Sequence, residues 1–421
     1  MPVADAVRAN LERSSWIRKM FEEGRRLKAQ FGDRNVFDFS LGNPDLEPPA
    51  AFVQALKDAA LSDELGTHAY MPNQGYPFAR EAMAQKISAE HAVALSADDV
   101  LLTVGAAGAL NVVLKTILNP GDEVVVIAPY FAEYVFYVGN HGGVLRPVPA
   151  APDFGLDVPA IAAALGPKTA AVIVNTPNNP SGRIYARPEL ERLAAALRAH
   201  AAAGGRAPYL IVDEPYRDIV YDGAVAPPIL DAYAESIVAS SFSKTLSVPG
   251  ERIGYLGLNP AIADKALLMA GLTMANRILG FVNAPALMQR AVAASWRAKA
   301  DVARYERRRD LLAGVLDEAG IRYAKPEGAF YLFCQAPERV GGGSAGGDAV
   351  ASAEASGSPG SGAGLDVEFA MFLKEYKILA VPGTGFGCPG WFRLSYCVPE
   401  ETIANSREAW LAAAAAWAKR G

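Results

Sequence analysis

The sequence predicts an α/β protein: a large domain with a mostly parallel sheet flanked by helices, plus a smaller discontinuous α+β domain. Three observations point there. Between residues 99 and 258, short apolar, β-branched runs alternate with helical stretches, as strands joined by crossover helices do. After about residue 290 the pattern changes to a long charged helical stretch followed by short strands. A chain of 421 residues also exceeds what a single core usually holds.

In chain order, Ser15–Ala29 is an amphipathic stretch whose Ile17, Phe21 and Leu27 are candidate contacts with the smaller lobe, which makes that lobe discontinuous. The strands expected in the large lobe are Val100–Val104, Glu123–Ala128, Ala171–Asn175, Tyr209–Asp213, Ile237–Ser241 and Gly254–Gly257. Nearly all are uninterrupted apolar runs, as strands covered on both faces tend to be. Helices are expected at Gly108–Leu118, Pro188–His200 and Pro260–Leu272. Beyond them, Ala291–Ala319 reads as one long helix, Tyr331–Cys334, Ile378–Val381 and Phe392–Tyr396 as strands, and Glu401–Lys419 as a closing helix. The expected division is 1–50 as an N-terminal arm and part of the small lobe, 51–290 as the large lobe, and 291–421 as the rest of the small one. Within the last, residues 341–364 are rich in Gly, Ala and Ser, with too little apolar area to offset the entropy of ordering. A mobile, dispensable surface insertion is expected there, ahead of a helix with Asp366 at its N-cap.

Composition narrows the function. Hydrophobic residues are 51% and charged residues 20% of the chain, the balance of a folded globular protein. Forty basic against 45 acidic side chains, with no basic tract, argue against a nucleic-acid partner. No apolar run approaches the roughly 18 to 20 residues that span a bilayer, and Met1–Asn10 lacks the apolar core of a signal peptide. Cys334, Cys388 and Cys397 are too widely spaced for a zinc site or redox dithiol, so a cytoplasmic location and no metal are expected. His68, His91, His141 and His200 sit in no motif and read as core or surface residues.

Chemistry concentrates at strand ends. In Ser241-Phe-Ser-Lys-Thr245 a lysine follows an apolar strand, at the edge where α/β sheets bind ligands, and Arg252 lies eight residues on. Two serines and an arginine around one lysine suit a phosphate held beside a reactive amine. Asp213-Glu-Pro-Tyr216 closes another apolar strand, placing a carboxylate where a cationic heterocycle could pair with it. Asn175-Thr-Pro-Asn-Asn-Pro-Ser-Gly182 is a stiff turn, but a tight turn alone leaves its three asparagines unexplained. Gly105-Ala-Ala-Gly-Ala109 joins a strand to a helix with residues small enough for an anion to approach the backbone.

Together these segments resemble the class I/II pyridoxal-phosphate-dependent aminotransferases of fold type I, the aspartate aminotransferase-like enzymes. The resemblance runs in order from Leu41-Gly-Asn-Pro-Asp45 to Phe392-Arg-Leu-Ser395, nearly the whole chain. Asn-Pro-Ser-Gly, then Asp-x-x-Tyr, then Ser-x-Ser-Lys with an arginine eight residues later carry it. It implies that Lys244 is the Schiff-base lysine, Asp213 the partner of the pyridine nitrogen, and Tyr216 and Asn179 donors to the ring oxygen. Phe131 resembles the aromatic stacked on the ring. The phosphate would meet the backbone of Ala106 and Ala107, the side chains of Ser241, Ser243 and Arg252, and Tyr70 reaching across from a second subunit, which implies a homodimer. Alanines stand at 106 and 107 where relatives often carry a hydroxyl or lysine, so fewer side-chain contacts are expected there. Arg393 matches the arginine that clamps the substrate α-carboxylate, with Asn179 and the Gly42 backbone completing the clamp.

The implied cofactor is pyridoxal 5′-phosphate, and the implied reaction moves an amino group from an L-amino acid to a 2-oxo acid by ping-pong kinetics. Arg277 is a candidate for reading a distal carboxylate, although its spacing to Asn283-Ala-Pro285 fits the usual pattern poorly. Tyr331 and Phe333 are candidates either for an apolar pocket or for the core. Small neutral, dicarboxylic and aromatic substrates all stay open, as does a β-lyase or cyclopropane-forming reaction using the same lysine and aspartate.

Overall fold

The structure is a computed structural model and describes residues 2–12, 16–338 and 364–420. Except for Gly364, the expected mobile insertion lies outside the described residues. After a two-residue strand β1 (Phe37–Asp38), the chain forms β2 (Val100–Thr103), β3 (Glu123–Ala128), β4 (Val144–Pro149), β5 (Thr169–Asn175), β6 (Tyr209–Asp213), β7 (Ser236–Ser241) and β8 (Gly254–Leu258). Strands β2 to β8 make one sheet in the order β2-β8-β7-β6-β5-β3-β4. From β7 to β4 all neighbours are parallel, and β8 runs antiparallel to both β2 and β7. Strand β4 was not foreseen. Its Pro147 and Pro149 withhold ladder donors, which is tolerable because β4 is an edge with β3 as its single partner.

Alternate residues of this sheet face two cores. Leu102, Val125, Val172, Val212 and Val238 pack with helices Pro77–His91 and Arg187–Ala202, whereas Leu101, Val126, Ile173, Ile211 and Leu256 pack with Gly105–Ile117 and Lys265–Ile278. Both faces are therefore apolar, and the strands read as continuous apolar runs.

The smaller lobe adds β9 (Tyr323–Ala324), β10 (Tyr331–Gln335), β11 (Ile378–Leu379), β12 (Val381–Pro382) and β13 (Trp391–Ser395). An antiparallel sheet runs β12-β13-β10-β9, while β11 pairs in parallel with β1. The stretch Ile378–Val381, expected as one strand, is thus two strands in two sheets with Ala380 between them. The N-terminal helix Trp16–Phe31 buries Met20 and Leu27 against Phe333, Val381 and Phe386. Phe21 is exposed instead, and the side chain of Ile17 lies outside the described residues.

The expected helix Ala291–Ala319 is two helices, Ala286–Ser295 and Val302–Glu318. Ala291 and Val292 belong to the core of the large sheet, whereas Tyr305 and Leu312 belong to that of the small lobe, so the helix breaks where the chain changes cores. Pro260–Leu272 is corrected to Lys265–Ile278, and the closing helix is interrupted at Ser406. Asp366 is not an N-cap. Gly364 holds that position, and the buried Asp366 carboxylate accepts from the Thr384 amide at 2.8 Å and hydroxyl at 2.7 Å, tying the helix Leu365–Leu373 to the neighbouring loop. Among the described residues no helix is long and apolar enough to cross a membrane.

Candidate active site

The carboxyl ends of β2, β5, β6 and β7, the start of antiparallel β8 and the segment after β3 all reach the same sheet edge. They enclose a cavity of about 330 Å³ together with Gly42, Tyr331 and Arg393 from the segments of the small lobe. Of the residues expected to meet the cofactor or the substrate α-carboxylate, all line it except Tyr70, which is 91% exposed and lies elsewhere.

Asp213, the last residue of β6, is buried at the floor. Its Oδ2 accepts from the Tyr134 hydroxyl at 2.5 Å and from Asn175 Nδ2 at 3.3 Å, while its Oδ1 has no partner. Burial pushes this carboxyl up to about 7, against the pull of the Tyr134 hydrogen bond. A buried acceptor without a donor calls for a ligand that brings one.

Lys244 sits in the single helical turn Phe242–Thr245 that follows β7. Its Nζ donates to the Gly42 carbonyl at 2.8 Å and lies 5.5 Å from the centre of the Phe330 ring. Burial lowers the amine to about 8, and the Arg393 and Arg252 charges push in the same direction. A far larger share of it is then neutral near physiological pH than for a lysine in water, and the neutral form is the one that acts as nucleophile or base. The Tyr216 hydroxyl is 2.9 Å from that of Tyr331, and burial raises both phenols.

Arg393, on β13, is 2% exposed. Its Nη1 donates to Asn179 Oδ1 at 3.0 Å and its Nη2 to the Ser40 carbonyl at 2.7 Å, while Nε is unpaired. The guanidinium lies 4.4 Å from the Tyr331 ring centre and 4.9 Å from that of Phe386. Burial disfavours its charge, so an anion in the cavity would relieve it. Gly42, beside Tyr331, has no room for a side chain: a Cβ there would stand 1.9 Å from the Tyr331 hydroxyl.

Arg252 reaches back across the sheet edge to the carbonyls of Pro249 and Val104, at 3.0 and 3.5 Å. A Cβ on Gly105, whose φ is +73°, would come within 2.8 Å of its Nη2. Ala106 and Ala107 occupy the first turn of helix Gly105–Ile117, whose leading amides have no intrahelical partners. Ser241 and Ser243 line the same end of the cavity. A guanidinium, two hydroxyls and a helix N-terminus are groups that suit an anion. Arg277 does not join them but lines a separate cavity with Asn73 and Met274. Of the two aromatic candidates, Tyr331 lines the site, and Phe333 is fully buried in the core against Trp391.

The profile of aminotransferases of class I and II matches residues 34–409. The chain is 32% identical over 376 residues to a probable aspartate/prephenate aminotransferase of Thermus aquaticus, covering 87% of this chain and 88% of that one. This chain belongs to the class I and II aminotransferases. Solved structures agree. An aminotransferase from Eubacterium rectale superposes with a TM-score of 0.89 at 35% identity, covering 99% of both chains. The aspartate aminotransferase of Thermus thermophilus with maleate superposes at 0.80 and 27% identity, covering 98% of this chain and 100% of that one.

Sequence reasoning about this aminotransferase missed Tyr134, Tyr137 and Glu133, the last two of which line the cavity, and gave Asn175 no role there. A signal was present: Phe131, Tyr134 and Tyr137 recur every third residue, which places them on one face of a helical turn. The three asparagines also find their reasons. Asn175 Oδ1 accepts the Asn179 amide at 2.7 Å, and Asn178 Oδ1 accepts the Ser181 amide and hydroxyl at 3.0 and 2.8 Å, so two of them hold the turn that carries Asn179 to Arg393. His91 is a core residue, bonded to Glu214 at 2.9 Å. The carboxylates of Glu214 and Glu90 beside it are compensated by Arg217 and Lys86.

Proposed function

We propose that this aminotransferase moves the amino group of an L-amino acid to a 2-oxo acid by a ping-pong mechanism, with pyridoxal 5′-phosphate joined to Lys244. The observation that carries the reading is the pairing, in one cavity, of a lysine amine lowered to about 8 with a buried aspartate whose Oδ1 lacks a donor. The family supports the cofactor, and the residues suit it. Asp213 Oδ1 can accept from a ring N–H, Phe131 offers an aromatic face, Tyr216 and Asn179 can donate to a ring oxygen, and the anion site at Arg252, Ser241, Ser243, Ala106 and Ala107 suits a phosphate.

Pyridoxal 5′-phosphate supplies an electron-accepting ring that makes the α-hydrogen of an attached amino acid acidic. The protein's part is binding, orientation and proton transfer. Arg393, steadied by Asn179 and the Ser40 carbonyl, holds the substrate carboxylate as a two-pronged donor and so fixes which Cα–H bond faces Lys244. Lys244 Nζ, free once the substrate amine has taken its place, accepts the proton from Cα. Asp213 keeps a negative charge against the ring nitrogen.

The exposure of Tyr70 supports a homodimer in which a second copy brings its own Tyr70 to the anion site. The name of the Thermus aquaticus relative and the maleate in the Thermus thermophilus structure support aspartate as the first donor to test, with prephenate among the 2-oxo acid acceptors. Incubation with a panel of amino donors and 2-oxo acids tests the reaction. One new 2-oxo acid per donor consumed, dependent on an acceptor, with parallel double-reciprocal plots, is expected. Ammonia release without an acceptor would mark a lyase and overturn it.

A further inference from the structure

Asp213 is bonded from one side. The Tyr134 hydroxyl and the Asn175 amide both donate to Oδ2, at 2.5 and 3.3 Å, and Oδ1 is left unpaired on a residue that lines the cavity. Tyr134 begins the helix Tyr134–Gly139 and is 1% exposed, with its ring edge-on to Phe131 at 5.6 Å. Burial, with the Asp213 charge next to it, raises the phenol well above its ordinary value, so the hydroxyl stays a donor. The other ionisable groups about the carboxyl are Tyr137 on the same helix, Lys244 after β7, and Glu214, the next residue along, whose own charge is paired with His91 and Arg217.

We propose that Tyr134 is a positioning residue: by occupying Oδ2 together with Asn175, it keeps the Asp213 carboxyl ionised and reserves Oδ1 for the ring nitrogen of the bound cofactor. The inference rests on the reading that this cavity takes pyridoxal 5′-phosphate. A donor to one oxygen stabilises the charged form of a carboxyl, and the charge-assisted bond from Oδ1 to a ring N–H needs that form. Without Tyr134, Oδ2 loses its shorter hydrogen bond in a buried site. The carboxyl then holds its proton to higher pH, and a protonated carboxyl cannot balance a charged ring. Oδ2, then held by Asn175 alone, also competes better with Oδ1 for the ring, so its orientation is less well set.

The test compares the wild-type apoprotein with Tyr134→Phe, which keeps the packed ring, for binding of pyridoxal 5′-phosphate and of its analogue with carbon in place of the ring nitrogen. The wild type should prefer the cofactor to the analogue. Tyr134→Phe should weaken the cofactor roughly tenfold while leaving the analogue within about twofold, and should move the pH midpoint of cofactor binding upward. Equal weakening of both ligands would reduce Tyr134 to a packing role, and no weakening would remove the role altogether; either overturns the proposal. A wild type that fails to prefer the cofactor would instead overturn the pairing of Asp213 with the ring on which it rests.

Discussion

Lys244 shows how a buried setting changes a residue type. A lysine in water stays protonated through the physiological range, whereas here burial and two guanidinium groups bring the amine to about 8. The sign gives a pH prediction. Only the neutral amine can attach the cofactor aldehyde, so attachment to the apoprotein should speed up about tenfold per pH unit below about 8 and level off above it. Stopped-flow absorbance would show this, and a flat profile from pH 6 to 9 would contradict it. Lys244→Ala should fold yet lose at least about 10²–10⁴-fold in turnover from the missing base alone. Lys244→Arg should not restore it, since a guanidinium stays protonated. Arg393→Lys should raise the substrate KM roughly tenfold by replacing a fork with a point charge, with cofactor affinity unchanged; loss of both would make Arg393 structural. Lys244, Asp213 and Arg393 were legible because their motifs are local in the sequence. The three-residue spacing marked Tyr134 as well, but not its partner, because its bond to Asp213 joins residues 79 positions apart.

Among the elements, the buried parallel strands were the most legible, since each is a continuous apolar run. Direction is another matter. Nothing in Gly254–Leu258 distinguishes antiparallel β8 from its parallel neighbours, because both kinds are covered on both faces in this sheet. The break between Ala286–Ser295 and Val302–Glu318 was hidden for a related reason: residues 296–301 contain neither glycine nor proline, and tertiary packing on two different cores ends the first helix. We propose the lobe boundary at 296–301 rather than near residue 290, which would cut a helix packed on the large core. The closing helix Arg407–Trp417 anchors the small lobe through fully buried Trp410. Trp410→Ala should therefore cost about 3–5 kcal/mol in denaturant unfolding, and a cost below about 1 kcal/mol would contradict the packing described. Gly42→Ala should strike at the site instead, because its Cβ meets Tyr331. Activity should fall with little change in global stability.

At the scale of the whole molecule, two lobes with separate cores contribute to one cavity: the sheet edge of the large lobe brings Lys244, Asp213 and Arg252, and the other brings Gly42, Tyr331 and Arg393. Such a site depends on how the lobes meet, which explains why the order of the motifs and the spacing inside each were informative and the long intervals between them were not. Strand β10 runs from Tyr331 at the cavity to Gln335, and we propose that the segment 341–364, which follows it in the sequence, is dispensable. Its deletion should leave turnover within about twofold, since its Gly, Ala and Ser composition offers little to bury. The proposed chemistry stands or falls with the bond between Lys244 and the cofactor. Reduction of the reconstituted enzyme with borohydride, followed by peptide mapping, should place the pyridoxyl group on Lys244 alone. A label on another lysine, or protein that stays colourless after reconstitution, would contradict it.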